Sequence, residues 1–502
     1  MLRFSWYRLC SSGAAAASSL TPDVLAVAKA QSMQLDDLSP RKIASILDTY
    51  IVGQDEGKRA VAISLRNRWR RRQIKDEGLR QDILPKNILL VGPTGVGKTE
   101  ISRRMAKLTD APFIKVEATK YTEVGFKGKD VESIIEELYA NAKTKAKRRL
   151  EMEREPEALA MALDVVFNAW SSRRRLTSAY GISSSSSSSS SSGSGNVGDK
   201  DNEEDVSPFK EVTLEEFKEK YKTEYKDDMV VIDITQHPVN AKPNVGPGGI
   251  DIMSVSAFLG LNTEPRRAKV RVSKRVEEAV PLAMQEALDR LLDEAQINAL
   301  ARTLAEEDGV VFIDEIDKVV TEPSSPNADV SSTGVQQDLL PLIEGSSVTM
   351  KDGTQINTDN ILFICSGAFH TAKTSDMIAE LQGRLPVRVE LKALNEEDIR
   401  RILCEPKFNL LMQQKALMKT ENIDVDFTED GVNELARVTT TVNANGQNIG
   451  ARRLHTVIER VMDEYSFNCQ EYEGKKVVID ANVVRSATES LHKNINLAKY
   501  LL

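Results

Sequence analysis

"NILLVGPTGVGKTE", residues 87–100, sets the architecture expected of this 502-residue chain. Asn87–Val91 is a short apolar run ending at a glycine, the pattern of a buried strand. Gly92-Pro93-Thr94-Gly95-Val96-Gly97-Lys98-Thr99 then matches G-x-x-x-x-G-K-[ST] in full. Glycines at these places let backbone N–H groups wrap phosphates at a helix N-terminus. The lysine reaches the β- and γ-phosphates, and the threonine hydroxyl ligates Mg²⁺. "TEISRRMAKL" supplies the helix. A strand before the loop and a helix after it make a chance match in a Gly-rich turn a poor alternative.

Working outward, "GVVFIDEIDKV" gives a second apolar run, Val310–Ile313, with two acids at its carboxyl end. Asp314 is placed to hold the Mg²⁺ shell, and Glu315 to polarise a water for attack on the γ-phosphate. Lys98 and Asp314 are 216 positions apart. Strands carrying these two motifs normally sit one or two βα units apart, so something is inserted between them. "NILFICSGAF" (360–369) and "VRVEL" (387–391) read as further strands, with Ser366 near where a γ-phosphate would lie. Between them Arg384 in "ELQGRLPVR" stands on a short loop, either as an arginine finger for a neighbour's ATP or as a surface ion-pair residue. "NIGARRLHTVIERVM" puts Arg452 and Arg453 at the start of an amphipathic helix. Adjacent helical residues diverge by about 100°, so only one of them faces the phosphates.

The insert is legible as a change of composition. Residues 143–275 are charged and irregular, and "ISSSSSSSSSSGSGNVGDKDNEED" cannot bury enough apolar surface to fold, which makes 183–205 a disordered loop. Its flanks, "KTKAKRRLEMEREPEALAMALDVV" and "TLEEFKEKYKTEYKDD", read as charged helices. The expected organisation is therefore 36–142 and 276–393 as two parts of one nucleotide-binding α/β domain, 143–275 as a mainly helical intermediate domain, and 394–502 as a smaller C-terminal α+β domain. Residues 1–35 carry Arg3 and Arg8, many Ser and Ala, and no acid before Asp23. That is the character of a mitochondrial presequence, with a disordered tail as the alternative.

The totals narrow the function classes. A net charge of −8 argues against a nucleic-acid binder held by general electrostatics. No stretch approaches the roughly 20 apolar residues that span a bilayer. Four dispersed cysteines without a CxxC pair argue against a zinc site or disulfide framework. The basic run Arg66, Arg68, Arg70, Arg71 and Arg72 reads as a solvated or intersubunit face.

Together and in this order, these motifs resemble the AAA+ ATPases, and specifically the HslU family, unfoldase partners of the HslV peptidase. The likeness runs from about residue 39 to 502 through "IVGQDEGKRAVAISLRNRWRR", "PFIKVEATKYTEVG", "VVFIDEIDKV", "GVQQDLLPLIEG" and "ELQGRLPVRVEL". It implies an AAA+ P-loop fold with a parallel sheet, ATP and Mg²⁺ as ligands, and a homo-hexameric ring that threads unfolded or tagged proteins into an HslV-type peptidase in the mitochondrial matrix. It puts Val52 at the adenine. Gly95, Val96, Gly97, Lys98, Thr99 and Glu100 hold the phosphates, with Asp314, Glu380 and Arg452 lining the pocket and Thr99 and Asp314 on the metal. Catalysis falls to Glu315 and Lys98, with Arg384 as the finger lent by the adjacent subunit and Arg452 as the second sensor arginine.

Two further segments gain roles from the resemblance. Gly125-Phe126-Lys127-Gly128 stands where the family carries Gly-Tyr-Val-Gly, the loop that lines the central pore. Phe126 keeps the aromatic grip, and Lys127 adds positive charge that favours acidic substrate segments. A buried Phe126 with a solvated Lys127 is the alternative. Tyr500, Leu501 and Leu502 form an apolar end that either docks on the peptidase or folds against its own domain. A ClpX-type unfoldase is disfavoured by the missing CxxC module and docking tripeptide, a DNA-remodelling motor by the acidic charge, and a dead scaffold by the presence of Lys98, Thr99, Asp314 and Glu315.

Overall fold

A computed structural model describes residues 39–121, 130–180, 212–235, 269–320, 330–446 and 448–493. Residues 1–35, expected to be a presequence, residues 125–128, expected to line a pore, the Ser-rich stretch 183–205 and the tail Tyr500–Leu502 lie outside the described residues.

The elements follow in chain order. Helices α1 (Pro40–Asp48), α2 (Asp55–Arg72) and α3 (Glu77–Asp82) precede β1 (Ile88–Val91), α4 (Lys98–Leu108) and β2 (Phe113–Glu117). The long α5 (Ser133–Tyr180) is followed by α6 (Leu214–Lys220), β3 (Met229–Thr235), β4 (Lys269–Arg275), α7 (Val276–Leu291) and α8 (Glu294–Thr303). Then come β5 (Val310–Asp314), α9 (Val330–Glu344), β6 (Ser347–Thr349), β7 (Gln355–Asn357), β8 (Leu362–Gly367), α10 (Ala379–Arg384) and β9 (Val387–Glu390). The C-terminal part holds α11 (Glu396–Cys404), α12 (Leu410–Thr420), β10 (Asp424–Phe427), α13 (Glu429–Asn445), α14 (Arg452–Phe467), α15 (Cys469–Tyr472), β11 (Lys476–Ile479) and α16 (Ala481–Lys493).

Two compact units emerge, residues 1–147 with 295–502, and residues 148–294. The first is built on a five-stranded parallel sheet in the order β2-β5-β8-β1-β9. Its central strands are near-continuous apolar runs because both faces are covered. Leu362–Gly367 is buried at every position, and Ile88, Leu90, Phe312 and Ile364 pack with Ile101 and Met105 of α4. Buried Asn87 accepts from the Phe363 N–H at 3.0 Å and so fixes the start of β1 against β8. This layering brings the carboxyl ends of β1, β5 and β8 together, which is where open parallel sheets place their ligands. The C-terminal part of the same unit packs α11, α13, α14 and α16 around Leu435, Leu454, Ile458 and Ile479, with β10 and β11 paired in parallel.

The second unit is mainly helical among the described residues, and it also holds a strand pair that the sequence did not suggest: β3 and β4 run antiparallel from Met229↔Arg275 to Thr235↔Lys269. It does not end at residue 275. Val276, Ala279, Val280 and Ala283 of α7 are buried with Trp170, Phe217, Tyr225, Val230 and Ile232. The apolar face of α7 has its partners here, so the boundary lies at about 294. Trp170 anchors the cluster, 4.9 Å from Tyr225 ring to ring, and donates its indole N–H to Asp228 at 2.7 Å. The helix read into "TLEEFKEKYKTEYKDD" stops at Lys220, where the chain turns.

The basic run of α2 also differs from expectation. Arg68 is buried, and its guanidinium donates to the carbonyls of Glu307 (2.7 Å), Asp308 (3.2 Å), Gly309 (3.0 Å) and Asn360 (3.1 Å). Arg71 pairs with Glu307 at 3.2 Å, and Arg72 pairs with Asp308. These charges close off the π-helical turn Leu304–Asp308 that feeds β5. Helix ends leave carbonyls without partners, and Arg68 satisfies them from outside the helix.

Candidate nucleotide site

The loop after β1 opens into a cavity of about 840 Å³. Val52, Gly95, Val96, Gly97, Lys98, Thr99, Glu100, Asp314, Glu315 and Arg452 all line it, so four segments far apart in sequence meet at one place. Lys98 begins α4, is buried, and donates its ammonium to the carbonyls of Gly92 and Pro93. Burial pushes its pKa down, with Asp314 and Asp317 opposing. Glu100 is clamped by Arg103 and Arg104 at 2.6 Å each.

The acids behave differently from one another. Asp314 accepts from the Ser366 hydroxyl, from Thr99 Oγ1 at 3.3 Å and from the Glu315 N–H at 3.2 Å, and pairs with Lys115 at 3.0 Å. Burial pushes its carboxyl up, but Ser366, Lys115 and the Glu315 N–H outweigh this and hold it below its ordinary value. It is therefore an ionised carboxylate beside a threonine hydroxyl, an all-oxygen donor set of the kind that Mg²⁺ selects. Glu315 is exposed at a φ of +59°, a left-handed backbone uncommon outside glycine. Buried Asp317, one turn on, accepts from the Phe369 N–H at 3.2 Å and ties the end of β8 to the acidic loop.

The far wall comes from the C-terminal part. Asn443 accepts from the Ile449 N–H at 3.4 Å and donates to the Gly450 carbonyl at 3.1 Å, which shapes the entry to α14. Ala451 N–H donates to the Gly95 carbonyl at 3.1 Å. The approach is so close that a Cβ on Gly95 would lie 2.0 Å from the Ile449 carbonyl, and one on Gly450 2.7 Å from the Thr94 carbonyl. Arg452 then faces the cavity and Arg453 is buried at the Asn443 amide, 3.4 Å away, as helical geometry requires. On the other side, Gln54 exchanges two hydrogen bonds with the Lys392 backbone (2.8 and 3.0 Å) and so positions Val52.

Two residues do not join the site of this chain. Glu380, expected in the pocket, is exposed on α10 and lies outside the cavity lining, because α10 buries Leu381 instead. Arg384 is also outside and pairs with Glu344 at 3.0 Å. Sequence reading missed Lys115, whose only signal is a lysine inside the apolar run "FIKVE". It also missed Tyr50, Leu394, Ile402, Phe408, His370 and His455 on the cavity wall, and Ile449 and Gly450, which press on the phosphate loop.

A parallel sheet with a phosphate loop after β1, paired acids after β5 and an arginine from a C-terminal helical part defines an ATPase of the AAA+ class. Two family models match: "AAA domain (Cdc48 subfamily)" over residues 255–398 and "ATPase family associated with various cellular activities (AAA)" over 88–150. The chain is 76% identical over 505 residues, all of both chains, to "ATP-dependent protease ATPase subunit HslU2" of Trypanosoma brucei brucei. It is 44% identical to HslU1 of the same organism (98% of this chain, 95% of the relative) and 44% to HslU of Sinorhizobium medicae (93% and 100%). The chain belongs to the HslU family of ATP-dependent protease ATPase subunits.

Proposed function

We propose that this chain is an ATP-driven protein unfoldase and translocase that works as a homo-hexameric ring with an HslV-type peptidase in the mitochondrial matrix. The observation that carries the ATPase part is the Asp314 carboxylate, kept ionised between Thr99, Ser366 and Lys115 at the wall where Lys98 and Arg452 also stand. In this reading Lys98 and Arg452 bind the β- and γ-phosphates, and the backbone of Gly95–Thr99 orients them. Thr99 and Asp314 would hold Mg²⁺, which when bound offsets phosphate charge. Glu315 takes a proton from the attacking water as its oxygen bonds to the γ-phosphorus and the bond to ADP breaks. Arg384, outside its own cavity, serves the neighbouring subunit in the ring.

The remaining parts rest on the resemblance and on the family to which the chain belongs. Gly125–Gly128 grips an extended chain through the Phe126 ring, with Lys127 favouring acidic segments. Tyr500, Leu501 and Leu502 dock on the peptidase and activate it. The composition of residues 1–35 supports import into the matrix. Nothing in the reading calls for nucleic acid or membrane, and no helix among the described residues is long and apolar enough to cross a bilayer. The ATPase reading is tested by Lys98→Ala in the full chain: nucleotide affinity falls by about 10-fold or more if Lys98 binds phosphate, since a charge-assisted contact of this kind contributes roughly 1.5–3 kcal/mol. Unaltered affinity removes Lys98 from the site.

A further inference from the structure

One residue on the cavity wall serves neither the packing of the fold nor the phosphate chemistry. Phe408 lies in the loop between α11 and α12 and lines the cavity. Its φ is +80°, in the left-handed region that bulky residues rarely occupy. The residue is 62% exposed. At such a position the fold by itself asks for glycine or asparagine, which adopt this backbone at little cost.

The loop is nevertheless held firmly. Lys407 N–H donates to the Thr49 carbonyl at 2.9 Å, next to Tyr50, Ile51 and Val52 of the cavity wall. Gln413 donates its side-chain amide to the Phe408 carbonyl at 2.8 Å, and Asn409 caps α12 by accepting from the Met412 N–H at 2.9 Å. The left-handed conformation is thus fixed from three sides, and the residue it fixes is an exposed aromatic on the cavity wall. The Lys407 ammonium lies 5.6 Å from the ring centroid. Lys98, Asp314 and Arg452 account for a triphosphate and its cation. Ile51, Val52, Leu394 and Ile402 leave an apolar wall for the other part of the ligand, and the flat apolar part of ATP is its base.

We propose that the Phe408 ring stacks on the purine of bound ATP and sets the affinity of the site for the base. This rests on the reading of the cavity as the ATP site. Aromatic stacking depends on the π-face and not on hydrogen-bond pattern, so it strengthens purine nucleotides generally without selecting adenine over guanine.

The test compares equilibrium binding of a non-hydrolysable ATP analogue and of inorganic tripolyphosphate to the full-length chain and four variants. Phe408→Ala weakens the analogue by at least about 5-fold, in the range found for base–aromatic stacking, and leaves tripolyphosphate unchanged. Phe408→Trp retains or tightens binding. Phe408→Leu keeps apolar bulk without a π-face and weakens the analogue, so a readout remains if the alanine variant does not fold. Unchanged analogue binding in both Phe408→Ala and Phe408→Leu overturns the stacking alone and leaves the ring to a protein partner. Equal loss of both ligands also overturns it, because the ring then acts on the phosphates or on the fold. Lys98→Ala keeps the two questions apart: normal binding of both ligands there refutes the ATP-site reading and this proposal with it.

Discussion

Glu315 stands at a φ of +59° where most residues would be strained, and it is exposed while its neighbour Asp314 is tied by four contacts. That division suits one acid that holds and one that acts. Glu315→Gln therefore keeps nucleotide affinity and slows hydrolysis by about 100-fold or more, the loss usual for a general base. Equilibrium binding beside steady-state phosphate release checks this, and unchanged turnover removes Glu315 from its role. Gly450→Ala puts a methyl against the Thr94 and Gly95 carbonyls, which should lower the thermal midpoint and weaken nucleotide together, at a cost of about 2 kcal/mol. At this scale the phosphate loop and the acids were legible because each motif is local. Gly450 was not, since its need for a missing side chain arises from a loop 355 positions earlier. Glu380 had its role from the resemblance alone, and on α10, the helix that also carries Arg384, it lies outside the cavity of its own chain.

Elements were readable in proportion to how their burial patterns the sequence. The strands β1, β5 and β8 are buried on both faces and appear as apolar runs. "MVVIDIT" and "KVRVSKR" alternate with period two, yet their charges and the low-complexity neighbours hid them as strands, and α7 carried no mark of which unit its apolar face would join. Arg68 looked like one more surface cation because exposure cannot be read from residue type. Its four carbonyl partners predict that Arg68→Ala destabilises by about 2–4 kcal/mol, with Arg68→Lys recovering little because an ammonium cannot span the fork. Urea unfolding measures both. In the C-terminal part, Glu434 links α13 to α16. The Arg437 guanidinium, helped by Arg485, holds its carboxyl down from 4.5 to about 2. A depressed pKa stabilises the fold above the unfolded value, so the contribution is complete above about pH 4.5 and fades as pH falls toward 2. Both arginines reach solvent, which limits it to about 1–2 kcal/mol. The stability difference between the native chain and Glu434→Gln should shrink between pH 6 and pH 3; a difference independent of pH contradicts the ion pair.

The whole molecule couples two pieces of chemistry that the sequence keeps apart, a nucleotide site assembled from both ends of one unit and a C-terminal tail proposed to touch another protein. Deleting Tyr500–Leu502 should therefore leave ATP hydrolysis near its original rate and abolish activation of an HslV-type peptidase on a short fluorogenic peptide. Full activation without these residues rejects docking through the tail. If hydrolysis at the site of Lys98, Asp314 and Glu315 drives protein unfolding, the fluorescence of a folded fluorescent protein substrate reports it when mixed with the full chain, an HslV-type peptidase and Mg-ATP, beside the Glu315→Gln variant. Fluorescence should be lost only with ATP and the native chain. Equal loss with Glu315→Gln, or none while the native chain hydrolyses ATP, would contradict it.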